Sequence, residues 1–130
     1  MVAAGNPRGI MSVQDLAQPG IRISQPNPRH EDIAAYVLQM YRQAGGQPLV
    51  DRILTDKQGV GETLLTTVHH RETPRRIMDG EADVGPVWAT EIAHAEREGW
   101  PLAAPGELLN YYHNGEPTDD RRQIITNAMQ

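Results

Sequence analysis

The sequence predicts an α/β fold in three layers, a mainly parallel sheet flanked by helices. Three observations carry that expectation. Apolar and β-branched runs of strand length at residues 21–24, 63–68 and 82–87 alternate with helical segments, and strands spaced in this way cross over right-handedly into parallel sheets. Residues 63–88 read as one complete strand–turn–helix–strand unit. Finally, residues 31–44 carry Ile33, Tyr36, Val37, Met40, Tyr41 and Ala44 on one helical face, with Gln39, Arg42 and Gln43 opposite.

Taken in order, residues 2–4 are a short apolar piece ending in the turn Gly5-Asn6-Pro7. Ser12 is placed to cap a short helix over residues 13–17, which Pro19-Gly20 ends. Residues 21–24 alternate apolar and polar as a strand does, and the two prolines of residues 25–28 make a loop. The long helix of residues 31–44 closes at Gly45-Gly46, and a second helix is expected over residues 48–56. Thr73 is placed to cap a helix over residues 74–79 with Pro74 at its first position, and Gly80 to end it in a left-handed conformation. Thr90 begins another helix that Gly99 stops. Residues 100–104 form an edge strand, since Pro101 and Pro105 exclude a central one. Residues 108–112 form a further strand, residues 115–120 an exposed loop and residues 121–129 a terminal helix. The expected organisation is one lobe over residues 1–114 and a divergent tail over residues 115–130.

Composition removes several function classes. A formal charge of −5 and the lack of a basic block argue against nucleic acid, whose phosphates demand a basic surface. No apolar run is long enough to span a bilayer, and residues 1–4 lack the basic and apolar regions of a signal peptide. Without cysteine there is no disulfide, thiol catalysis or cysteine metal site, and the compartment stays open. An enzyme is not expected, because the chain shows no nucleophile motif, no phosphate-cradling glycine loop and no paired acid and base. Nothing calls for a cofactor.

The candidate site follows from the strand–turn–helix–strand unit. The turn after its first strand lies at the carboxyl edge of the sheet, facing a helix N-terminus whose free N–H groups and positive dipole end attract anions. His69, His70 and Arg71 occupy that turn. Each also has a plainer role: the histidines as loop residues, Arg71 as an ion-pair partner of Glu72 or Glu91. The loop Asn27-Pro28-Arg29-His30 should end at the same edge as His69, forming the other wall. Glu31 and Asp32 oppose an anion there, since acids in a first helical turn repel one. The alternative is a divalent-metal site of His30, His69 and His70 with Glu31 or Glu72, imidazole and carboxylate suiting zinc or nickel.

The run from His69 through GEADVGPVW to Glu91, with the upstream GNPRGIMSVQDLAQPGIRIS and NPRHEDIAAYVLQMYRQAGG in the same order, resembles the second lobe of the type 2 periplasmic solute-binding proteins. Within them it is similar to the molybdate-binding branch. The resemblance implies a single lobe of the periplasmic-binding-protein type 2 fold, binding an oxyanion such as molybdate or tungstate without catalysis. It further implies a periplasmic location and an ABC transporter permease as partner. It places the backbone N–H of Ile33 on the ligand, and Trp88 where the branch has a tyrosine whose hydroxyl touches the oxyanion. Indole N–H donates one hydrogen bond but accepts none, so the contact survives with altered geometry. Taken from the residues alone, a tryptophan such as Trp88 more often packs in a core than lines a pocket.

Three readings stand side by side: an oxyanion-binding lobe holding its ligand through backbone N–H groups, His70, Arg71 and Trp88; a divalent-metal site; and a vestigial, self-associating sensory lobe. Unpartnered apolar surface, with Leu108, Leu109, Tyr111 and Tyr112 near it, leads to the expectation of a homodimer.

Overall fold

The structure, a computed structural model, describes residues 1–67, 71–103, 110–112 and 123–125. At its centre, short β-branched segments pair in parallel. β2 (Ile23–Gln25) lies beside β3 (Thr63–Leu65) with Ile23 opposite Thr63, and Val84 continues the parallel order on the other side of Ile23. Val84 also bridges Val2 of β1 (Val2–Ala3) in the antiparallel sense, and β1 pairs antiparallel with β5 (Leu102–Ala103). A second sheet is wholly antiparallel: β4 (Val87–Trp88), β7 (Gln123–Ile125) and β6 (Asn110–Tyr112), in that order. The fold is therefore mixed α/β. Among the described residues parallel pairing lies at its centre and antiparallel pairing around it, where a mainly parallel sheet was expected.

Residues 82–87 do not form one strand, and the chemistry explains it. Pro86 has no N–H to give a ladder, so the chain leaves the first sheet after Val84 and joins the second at Val87. β2 begins two residues later than expected because the Pro19-Gly20 turn extends: the Ile21 N–H donates to the Gln18 carbonyl at 3.3 Å. Ser12 does cap the 3-10 helix Val13–Ala17, in a capping box with Asp15.

α1 (Ile33–Asp51) buries Ile33, Val37, Met40 and Tyr41, the predicted face. Gly46, at φ 70° and ψ −167°, interrupts it in a conformation open essentially to glycine alone, and Pro48 starts the second stretch where a missing N–H costs nothing. The helix then widens into π turns at Arg52–Lys57. Tyr41 is fully buried and donates its hydroxyl to Gln25 Oε1 at 2.7 Å, fastening α1 to β2; burial pushes that phenol well above its usual pKa.

α2 spans Glu72–Met78 with Arg71 at its N-cap position, so Thr73 is not the expected cap. Its hydroxyl points inward, 2.8 Å from that of Ser24. Pro74 still falls in the first turn, and Gly80 takes the left-handed conformation foreseen for it. α3 (Ala89–Glu98) begins one residue before Thr90 and ends at Gly99, again left-handed. Where a terminal helix was expected, Gln123–Ile125 is a strand. Its two isoleucines fit a ladder against Trp88 and Val87 better than a weakly amphipathic helix.

Among the described residues two apolar clusters form the core. Val2, Ile23, Val84 and the buried face of α1 make one; Met1, Ile77, Ala82, Val87, Ile92 and Leu102 make the other. Met1 and Ala3 join the second cluster while Val2 between them joins the first, so the sheet separates the two. No described helix is long and apolar enough to cross a membrane.

Candidate functional site

Parallel pairing of β2 and β3 brings their carboxyl ends together, and the residues just beyond them are fastened side by side. Thr66 N–H donates to the Gln25 carbonyl at 3.0 Å. Asn27 N–H then donates to Thr66 Oγ1 at 3.1 Å, and Asn27 Nδ2 to the Thr66 carbonyl at 3.1 Å. The two loops expected to form the walls of the site therefore start from one point on the sheet edge.

From that point Asn27 shapes the entry into α1. Its Oδ1 accepts from Arg29 N–H at 3.0 Å, and its carbonyl accepts from His30 N–H at 3.0 Å and Glu31 N–H at 2.9 Å. Ile33 follows as the first residue of α1, buried beside this junction. On the other loop, Thr67 N–H and Oγ1 both donate to the Glu72 carboxylate, at 2.7 and 3.1 Å. Residues 68–70 lie outside the described residues, and with them His69 and His70. The expected site contacts of these histidines, and the metal alternative that needs them with His30, fall there too. Among the described residues no three histidines or carboxylates gather closely enough to hold a metal ion.

Arg71 pairs with Glu91, its Nε 3.3 Å from the carboxylate, and its Nη1 lies 3.3 Å from His94 Nε2. Trp88 packs edge-on against Tyr36, ring centroids 5.7 Å apart, and joins the first core cluster. Trp88 is partly buried and stands at the N-cap position of α3.

Beneath the edge lies a polar layer that the sequence did not announce. Arg76, buried, donates through Nη1 to Ser24 Oγ at 3.2 Å and to the Leu64 carbonyl at 2.9 Å. Through Nη2 it donates to the Leu65 carbonyl at 2.8 Å and reaches Glu72 at 3.4 Å. One guanidinium thus satisfies the last carbonyls of β3 and the carboxylate that holds Thr67, which fits its five donors in a fixed fork. The only hint in the sequence was the i, i+4 spacing of Glu72 and Arg76.

The GEADVG segment is tied into this scaffold. Asp83 accepts from Arg22 N–H at 2.8 Å and pairs with the Arg22 guanidinium at 3.0 Å. Burial pushes the Asp83 carboxyl up, but the Arg22 hydrogen bonds and charge, with Arg8 behind them, outweigh it and hold it below the usual range. Val84 bridges the strands. A Cβ on Gly85 would lie 2.4 Å from Thr73 Cγ2 and 3.0 Å from the Ser24 carbonyl, so only glycine lets α2 approach β2 this closely.

In open α/β sheets ligands bind outside the carboxyl ends of the strands, the kind of edge at which β2 and β3 end here. The sequence matches the bacterial extracellular solute-binding proteins over residues 1–115, and the chain belongs to that family. Among solved structures it is similar to the sulfate-binding protein SubI from Mycobacterium tuberculosis H37Rv, with a TM-score of 0.62 and 26% identity over 78% of this chain. The chain spans 37% of the length of that protein. A comparison with curated proteins gives no significant match.

Proposed function

We propose that the chain is an oxyanion-binding lobe of a solute-binding protein in an ABC uptake system, working outside the cytoplasmic membrane with a permease and performing no chemistry. The observation that carries this reading is the Asn27–Thr66 junction, which sets the start of α1 and the β3–α2 loop at one sheet edge. Membership of the solute-binding family and the likeness to a sulfate-binding protein give the ligand class its support. The separation of two helical cores by the sheet favours a three-layer lobe of type 2, and the extent of the family match favours a lobe of residues 1–114 with a tail of residues 115–130. Sulfate is the first ligand to try, molybdate and tungstate the next.

In this reading the ligand sits between the Ile33 N–H and Arg71, with His69, His70 and the Trp88 indole around it. Arg71 exchanges Glu91 for the anion on binding. One wall leaves the anion half hydrated, and losing even two charge-assisted hydrogen bonds, each worth roughly 1.5–3 kcal/mol, weakens binding by about two to four orders of magnitude. Calorimetric titration of this chain with sulfate, molybdate, tungstate and zinc should show weak oxyanion binding that falls steeply with salt. It should be abolished in Arg71→Ala. Tight, salt-insensitive binding that survives Arg71→Ala places the ligand elsewhere, and a response to zinc alone favours the histidine site.

A further inference from the structure

Resting on that reading, we propose that Glu31 is an internal competitor for the oxyanion: its carboxylate occupies the Thr66 hydroxyl and thereby sets the affinity of the lobe. Thr66 is fully buried, and its hydroxyl accepts from Asn27 N–H while donating its proton to Glu31 Oε2. A hydroxyl has one proton to give. While Glu31 holds it, an incoming anion at the Asn27–Thr66 junction meets an occupied donor and a negative charge together. The carboxylate also lies just ahead of α1, where the helix dipole favours an anion of any origin, the ligand or the chain's own.

Three donors around this edge face carboxylates of the chain itself: Thr66 with Glu31, Thr67 with Glu72, and Arg71 with Glu91. Glu31 is the one built to let go. Glu72 and Glu91 are buried, Glu72 in the Arg76 layer, whereas Glu31 stands half-buried in the turn before α1, its backbone fixed by Asn27 and by an Ala34 N–H at 3.3 Å. Rotation of its side chain into water releases Thr66 without disturbing the backbone.

The test is calorimetric titration of the whole chain with sulfate, for the native sequence and for Glu31→Gln, Glu31→Ala and Asp32→Asn, each checked for native circular dichroism. Asp32 is the control: it is exposed, adjacent, of the same charge, and makes no side-chain cap bond. Freeing a donor to a charged ligand should tighten binding roughly ten- to hundredfold in Glu31→Ala and by a smaller factor in Glu31→Gln, which keeps an acceptor for Thr66. Asp32→Asn should change it much less. Binding detected only in the Glu31 variants supports the proposal equally. An equal gain in Asp32→Asn, or native binding with no gain in either Glu31 variant, overturns the role of Glu31 and leaves the oxyanion reading standing. Silence in all four folded proteins overturns the oxyanion reading, and the competitor role falls with it.

Discussion

Gly85 is required for want of room. Its neighbour Thr73 gives up the helix-capping role that its type and position suggested, and instead places a methyl 2.4 Å from where a Cβ would stand and a hydroxyl on Ser24. Gly85→Ala should push α2 away from β2 and cost about 1–3 kcal/mol, the usual range for overpacking a filled interior. Equilibrium urea unfolding measures it, and an unchanged midpoint would show that the two elements are not in firm contact. A capping residue and a buried one look alike in a sequence. Thr73 departs from the expected cap because only the fold puts Ser24 within reach of it, and Arg76 gives little sign of its role because its partners are backbone carbonyls of a strand eleven or twelve residues away.

At the scale of elements, periodicity was legible where burial is one-sided. The face of α1, its break at Gly46, the Ser12 cap, the left-handed end at Gly80 and the helix stop at Gly99 were all readable, since each depends on residues close in sequence. Strand limits and the strand at Gln123–Ile125 were not, because pairing partners decide them. The joints between elements carry the pH dependence. Asp83 is held below its ordinary pKa by the balance of Arg22 over burial, and Glu62 by the Gly20 N–H and then Lys57. A carboxyl lowered in the folded state stabilises it above the unfolded pKa of about 4, and that contribution is lost as pH falls through the lower folded value. Thermal unfolding should therefore show a loss of stability setting in below about pH 4, and Asp83→Asn should flatten it. An acid limb of the same depth in that variant would assign the effect to other groups.

For the whole molecule, the edge where β2 and β3 end was recognisable from the chain, and the Asn27 loop starts beside it; the expected meeting of that loop with His69 falls on residues 68–70, outside the described residues. Self-association belongs to this scale as well. Among the described residues β6 stands at one end of the antiparallel sheet, and the apolar sequence around it, Leu108, Leu109, Tyr111 and Tyr112, is the ground for expecting a partner chain. We expect a homodimer by light scattering at high micromolar concentration; a clean monomer there would refute it. The seam at Val84 and Gly85 has a bearing of its own on how the lobe breathes. Ser24 N–H donates to the Val84 carbonyl, Val84 N–H to Arg22, and Gly85 exchanges hydrogen bonds with Met1 in both directions, so two residues stitch together backbone from three parts of the chain. None of these amides can reach solvent unless the seam parts. Deuterium should enter Ser24, Val84 and Gly85 at one common rate, as a single slow opening, and three unrelated rates would mean that the stitches loosen one at a time.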